Sequence, residues 1–373
     1  MNILIASDSF KDALPAAEVC RALESGIRTA MPTAQTRICP LADGGEGTFE
    51  ALSSALGMQT VEIPAHDALL RPIIAAYGRS TDGQTAFIEL AKTAGLQLLR
   101  PDERNPLFTS TFGVGQQIRH ALEQGAKQII LAIGGSATND AGIGMAAALG
   151  WRFVDDTGAE LSPIGQNLAR IAGVIPPDVR PDIEVQVICD VTNPLFGSSG
   201  AAFVYARQKG ANDAAIEYLD KGLKHFLNIV KQTEGGPDPQ TPGAGAAGGM
   251  GFGSLYFLAA TLKRGADLVF DLLNLNEKLS WADLVVTGEG MIDSQTAHGK
   301  MVQRLCQYAA RQNTPVIAFC GRLNANPEQV RAIGLQAAYD INAHQPDAPL
   351  AEMLAQTASN LERSARDVFS QTA

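Results

Sequence analysis

Seven consecutive residues, Gly134-Gly135-Ser136-Ala137-Thr138-Asn139-Asp140, carry the sharpest chemical signal in the chain. They follow the apolar run Gln128 to Ile133, which reads as a buried strand. They precede the small, glycine-containing run Ala141 to Leu149, which reads as a packed helix. Glycines let a backbone come close to a ligand, and the first N–H groups of a helix are unspent and point at negative charge. The expected structure is an anion cradle, with Ser136, Thr138 and Asn139 adding side-chain donors. Which anion it holds does not follow from these residues.

Four further clusters could do chemistry. Ser7-Asp8-Ser9-Phe10-Lys11 follows the first apolar run, and ligands of open α/β sheets bind beyond the carboxyl ends of strands. Lys11 could neutralise a carboxylate or phosphate there; equally, the run reads as a plain loop with Ser9 or Asp12 near a helix cap. Asp43-Gly44-Gly45-Glu46-Gly47-Thr48 places two carboxylates three positions apart among glycines, which suits Mg²⁺ with a bound polyphosphate. The same pattern reads as an Asp N-cap with Glu46 in the first helical turn. Asp190 ends the apolar strand Val185 to Cys189, well placed to accept a proton from a substrate hydroxyl, although Asn193-Pro194 just beyond is a turn signal by itself. Glu289 and Asp293 follow the strand Asp283 to Thr287, and Lys300 comes shortly after; acids for a metal and a lysine for a phosphate are one reading, solvated loop charges the other.

Other patterns fail on context. Gly142 to Ala147 and Gly243 to Gly248 match Gly-x-Gly-x-x-Gly or its alanine variant, but neither sits in a strand-to-helix turn, so nicotinamide binding is only a runner-up. Gly299-Lys300 is not a Walker A loop, since Ser294 and Met301 stand where that motif needs Gly and Ser or Thr. The five histidines show no metal spacing, and His120 and His225 read as surface or structural.

The elements that must position these residues alternate. Asn2 to Ala6, Thr36 to Cys39 and Gln59 to Ile63 read as strands; Pro15 to Met31, with apolar residues at Val19, Leu23 and Ile27, and Glu46 to Leu56 read as helices. This βαβαβ pattern predicts a parallel sheet with helices on both faces. It returns from Asp283 onward with strands at Pro315 to Cys320 and Ala337 to Ile341. Glu234 to Gly253, rich in Gly, Pro and Ala, is a flexible linker or a ligand loop.

A chain of 373 residues points to two domains. Its 37 glycines, clustered after apolar runs, favour an α/β enzyme with ligand loops. The net charge of −10, with no basic stripe, argues against nucleic acid and anionic membranes as partners. Five cysteines without a Cys-x-x-Cys pair read as buried thiols of a reducing cytosol. No run approaches the ~20 apolar residues of a membrane span, and the N-terminus reads as a strand.

Together the motifs resemble the bacterial class I glycerate kinase family. The matching segments are SDSFK at 7–11, PLADGGEGT at 40–48, GGSATNDAG at 134–142, CDVTNPL at 189–195, GAGAAGGM at 243–250 and TGEGMID at 287–293, in the family's order and over most of the chain. Asp12-Ala13-Leu14 stands where family members commonly have Gly-Ser-Leu. The resemblance implies two α/β domains: a flavodoxin-like parallel-sheet domain of residues 1–75 with 283–373, and a mixed α/β domain, 76–282, inserted into it. It implies phosphorylation of D-glycerate with ATP and Mg²⁺, associated with 2-phosphoglycerate as product, 3-phosphoglycerate remaining open. On this reading Gly134, Gly135, Ser136, Ala137, Thr138, Asn139, Gly245 and Gly248 bind nucleotide. Ser9, Lys11, Arg71, Asn193 and Lys300 bind substrate, Lys11 also being catalytic, and Asp43, Glu46, Glu289 and Asp293 hold the metal. Asp190 is the base. The partners implied are small molecules, with a homo-oligomer open, in the cytoplasm. The rivals are an NAD-dependent dehydrogenase of a small hydroxy acid and a non-catalytic metabolite-binding protein.

Overall fold

The computed structural model describes residues 1–42, 48–49, 52–53, 57–180, 182–233, 236–293 and 301–371. The chain divides into two compact units, 1–57 with 265–373, and 58–264.

The first unit is built on a five-stranded sheet. From one edge its strands are Ala337–Asp340, Val316–Leu323, Leu284–Ile292, Asn2–Ile5 and Gln35–Ile38, every neighbouring pair parallel. Numbered within the unit, this is the order 2-1-3-4-5 of flavodoxin-like sheets, with a topological switch point between Asn2–Ile5 and Leu284–Ile292. The central strands are continuous apolar runs because helices cover both faces: Ile3, Leu4, Ile5, Val285, Val286 and Phe319 are fully buried. The helix Ala16–Ala30 buries the stripe Val19, Cys20, Leu23 and Ile27, and Leu361, Ala365 and Phe369 of the helix Thr357–Ser370 join the same core. The strand expected to end at Thr287 runs on to Ile292, paired residue for residue with its neighbour as far as Ile292 opposite Leu323. Glu289 therefore stands on a strand and not in a loop.

The second unit carries a six-stranded mixed sheet in the order Thr261–Lys263, Glu184–Ile188, Gln128–Ala132, Thr85–Glu89, Pro72–Arg79, Gln59–His66. The first four are parallel, and Pro72–Arg79 runs antiparallel to both of its neighbours. Here the sequence reading needs correction: the strand from Gln59 does not extend the parallel βαβ series. It pairs antiparallel with Pro72–Arg79, His66 opposite Pro72. A five-residue link closes a hairpin, whereas a parallel return needs a dozen residues or more. Asp67 pins the turn by accepting from the N–H groups of Leu69 and Arg71. The compact units divide at 57/58 and 264/265. The helix Asp213–Thr233 buries Ile216, Leu219, Leu223, Phe226 and Val230 at helical spacing.

Among the described residues, no helix is long and apolar enough to cross a membrane. All five cysteines are free; Cys20, Cys39, Cys306 and Cys320 are buried, and burial pushes the Cys20 and Cys306 thiols up to about 12.

Candidate active site

In the second unit the strands Gln128–Ala132 and Glu184–Ile188 are parallel neighbours, with Ala132 opposite Ile188. Two residues further on, Gly134 and Asp190 leave the sheet side by side at its carboxyl edge. Both are exposed, as is Gly135. Among the described residues no acceptor takes the N–H of Gly134, Gly135 or Ser136. A Cβ at Gly134 would meet nothing within 4 Å, and Gly135 has φ +69°, a left-handed conformation that glycine adopts without strain. The turn is held from behind, where Gly135 accepts from Leu96 N–H (2.9 Å) and Ala137 donates to the Ala94 carbonyl (2.8 Å).

The rest of the expected cradle is built differently. The helix starts at Ile143, and its N-terminus is not open to an anion. The carboxylate of Asp140 already sits there, accepting from the N–H groups of Gly142 and Gly144 (both 3.2 Å) and from Thr111 N–H and Oγ1 (both 2.8 Å). Met145 N–H is taken by Thr111 Oγ1 (2.8 Å). Asp140 is completely buried, and this burial raises its pKa. Ala137, Thr138 and Asn139 are buried too. Thr138 Oγ1 and both polar side-chain atoms of Asn139 have no hydrogen-bond partner among the described residues.

Lys209, not singled out in the sequence, lies beneath this turn. It is 2 % exposed and donates from Nζ to Ser136 Oγ (2.8 Å) and to the Thr138 carbonyl (2.7 Å). Burial lowers its pKa to about 7, partly offset by the Asp140 charge. The two charges do not bond directly; each spends its hydrogen bonds on the loop.

Gly245 and Gly248 allow the helix Ala246–Leu258 to press against this region. A Cβ at Gly248, where φ is +70°, would collide with the Thr138 carbonyl and Asn139 Cα; one at Gly245 would collide with the Pro194 carbonyl. Gly248 accepts from Ala141 N–H (3.0 Å) and Gly245 donates to the Asn193 carbonyl (2.9 Å). From Gly243 to Gly253 the segment read as a linker or ligand loop is therefore packed structure. Asn193 is held within its own loop, donating to Ser199 O (2.8 Å) and accepting from Tyr205 Oη (2.6 Å). Neither Gly-x-Gly-x-x-Gly run forms a strand-to-helix phosphate turn. Arg71 is engaged by Asp67 (2.6 Å) and Glu103 (2.8 Å), so its charge is already paired.

In the first unit a cleft of about 1540 Å³ opens beyond the carboxyl ends of the sheet, at the switch point. Ser9, Lys11, Glu289, Arg322, Asp340 and Asn342 are among its lining residues. Lys11 is exposed at the tip of a turn closed by reciprocal Phe10–Leu14 hydrogen bonds (2.9 Å), with Phe10 buried beneath it. Neither Ser9 nor Asp12 caps the next helix: the N-cap is Pro15, without a side-chain bond. Asp12 has φ +61°, so this chain carries Asp at a left-handed position. Arg322, exposed and without an ion pair among the described residues, was not visible as a site residue because it follows no glycine motif. Asp340 accepts from Leu323 N–H (3.2 Å) and Asn342 N–H (2.8 Å). Asp293 is half-buried just past the strand end. Asp43, Glu46 and Lys300 lie outside the described residues. Among those described, no group of three or more His, Cys, Asp or Glu side chains is poised to hold a metal ion.

Each of the two α/β units carries charged or donor groups at the carboxyl edge of its sheet, where open α/β sheets bind small ligands. The comparisons make that specific: the model of the glycerate kinase family matches residues 3–373, and the chain belongs to this family of kinases. It is 43 % identical to the glycerate kinase of Halalkalibacterium halodurans, with 98 % of this chain and 97 % of that one covered. It is 42 % identical to the glycerate 2-kinase of Escherichia coli K12, with 91 % and 90 % covered. A solved structure described as glycerate kinase 2 of Salmonella typhimurium LT2 superposes with a TM-score of 0.89 at 40 % identity, covering 100 % of this chain and 98 % of that one.

Proposed function

We propose that this chain transfers the terminal phosphoryl group of ATP to a hydroxyl of D-glycerate in the presence of Mg²⁺, with 2-phosphoglycerate as product. Family membership supports the substrate, and the E. coli relative named a glycerate 2-kinase supports the position. The observation that carries the mechanism lies within the second unit: a turn with unspent N–H donors, Gly134–Ser136, leaves the strand beside Glu184–Ile188, which Asp190 follows by two residues.

Phosphoryl transfer is chiefly positioning and charge stabilisation. The Gly134–Ser136 turn binds the nucleotide's phosphate oxygens through backbone N–H groups, with Ala137, Thr138 and Asn139 shaping its root and Gly245 and Gly248 allowing the supporting helix to close on it. Asp190 accepts the proton of the attacking hydroxyl as the O–P bond forms, and the ADP oxygen takes the electrons of the breaking bond. Lys11 and Ser9 bind the substrate's anionic groups. Glu289 and Asp293 would offer Mg²⁺ hard oxygen ligands, of which the ion typically takes only one or two beside phosphate oxygens and water. When bound, Mg²⁺ neutralises phosphate charge.

The test is identification by NMR of the product formed from D-glycerate, ATP and Mg²⁺. 2-Phosphoglycerate is expected; 3-phosphoglycerate would overturn the regiochemistry, and no phosphorylated product would overturn the reading. Turnover is expected to vanish in excess chelator, and undiminished turnover would remove the metal.

A further inference from the structure

We propose that Lys209 is a positioning residue for the nucleotide phosphates, acting through Ser136, whose hydroxyl it turns into a donor aimed at the bound anion. The inference rests on the reading that the Gly134–Ser136 turn holds phosphate.

An ammonium group has three donors and no acceptor. Lys209 Nζ at 2.8 Å from Ser136 Oγ therefore occupies a lone pair of that hydroxyl and leaves its O–H to point elsewhere. Among the described residues Ser136 Oγ has no second partner, and Ser136 is 8 % exposed, at the point where the turn meets solvent. The turn then offers three unspent backbone N–H groups and one hydroxyl as donors, with a positive charge behind them. The same ammonium also satisfies the buried Thr138 carbonyl at 2.7 Å.

Burial gives this charge its reach. A surface lysine is screened by salt and water, whereas Lys209 is sealed under the loop. The segment that delivers it is fixed in place: it ends at Gly210, φ +97°, where a Cβ would collide with the Arg104 carbonyl. Asp140, the charged group that faces Lys209, is already saturated by four donors and does not bond to it. A buried ammonium serving structure alone would be expected to sit on a carboxylate.

The experiment measures ATP affinity by direct titration, together with melting temperature, for the full-length chain and for Ser136→Ala, Ser136→Thr, Lys209→Met and the double variant Ser136→Ala/Lys209→Met. Ser136→Ala is expected to weaken ATP about tenfold, the scale of one hydrogen bond to a charged group, with Ser136→Thr restoring most of the loss. Lys209→Met is expected to weaken ATP at least as much, and the double variant no further than Lys209→Met alone. A folded Lys209→Met with wild-type ATP affinity, or losses that simply multiply, would overturn the proposal. If Lys209→Met does not fold, the serine pair decides: unchanged ATP affinity in Ser136→Ala overturns it, and loss restored by Ser136→Thr upholds it. Gly134→Val separates the two levels. If it leaves ATP affinity intact, the phosphate reading of the turn itself fails; if it abolishes binding while Ser136→Ala does not, only the role of Lys209 fails.

Discussion

At the carboxyl edge of the first unit's sheet, charge stands on exposed side chains: Lys11 on a turn tip, and Arg322 in the last residues of the strand Val316–Leu323. At the same edge of the second unit's sheet, Asp190 is exposed, but the turn beside it presents backbone, Gly134 and Gly135, and keeps its charges, Lys209 and Asp140, buried beneath. The two designs obey different physics. Exposed charges adapt to a mobile, variable ligand but are weakened by water and salt. Backbone donors over a buried charge cannot adapt, yet their orientation is settled before the ligand arrives, as stabilising a transferring phosphoryl group requires. Under the proposed function, the first edge binds and the second holds a reacting group still.

The comparison breaks first at Asp190. Asp190→Asn should lower kcat by roughly 10²-fold or more while leaving ATP affinity largely intact, the scale of a lost general base. Steady-state rates near wild type would leave Asp190 a turn residue. Next comes the preformed turn. Gly134→Val adds a side chain where the protein offers open space, so ATP affinity should fall roughly 10–10²-fold, as for one or two lost hydrogen bonds to a charged group, with the melting temperature nearly unchanged. At Gly135 the left-handed backbone makes the same substitution cost stability as well, which paired melting curves would reveal.

Lys11→Ala should raise KM for D-glycerate about tenfold. Raising ionic strength should shrink that difference while leaving the Gly134→Val effect on ATP in place, because only the exposed charge is screened. Equal salt sensitivity at both sites would erase the contrast between the edges.

A pH series sharpens it further. Lys209 has its folded pKa lowered to about 7 from an ordinary 10.5, so between these values the unfolded chain binds the extra proton. Stability linked to this group therefore rises with pH from about 7 to 10.5 and is flat below. The stability difference between wild type and Lys209→Met should shift accordingly in denaturant titrations. ATP affinity should move the opposite way, falling a few-fold over the same rise as the ammonium is lost, where phosphate, with a second pKa near 6, is already ionised. Affinity independent of pH from 7 to 9 would deny Lys209 its charge role. The smallest effect concerns the Lys11 turn: Asp12→Gly should add up to about 1 kcal/mol of stability by relieving a left-handed aspartate, measurable as a raised denaturation midpoint.

Local spacing was enough to place the helix Ala16–Ala30, through Val19, Leu23 and Ile27, and the apolar strands that end near Ser7, Gly134 and Asp190. Periodicity is a property of neighbouring residues, so it is readable without the fold. The glycines of 134–135 were legible for the same reason, since a turn after a strand is a local event. The hairpin of Gln59–His66 with Pro72–Arg79 depended on which strands pair, and that is settled by long-range competition for a sheet edge. The least legible feature lies beneath the Gly134–Ser136 turn. Arg207-Gln208-Lys209-Gly210 has the composition of a solvated loop, yet Lys209 is sealed against Ser136, seventy-three positions away. Asp140, read as the tail of an anion cradle, instead fills the helix N-terminus where the anion was expected. Which residues are charged is written in the chain, but whether a charge is hydrated or buried is decided only when distant segments close over it, because desolvation depends on everything packed around the group and on nothing in its own sequence window.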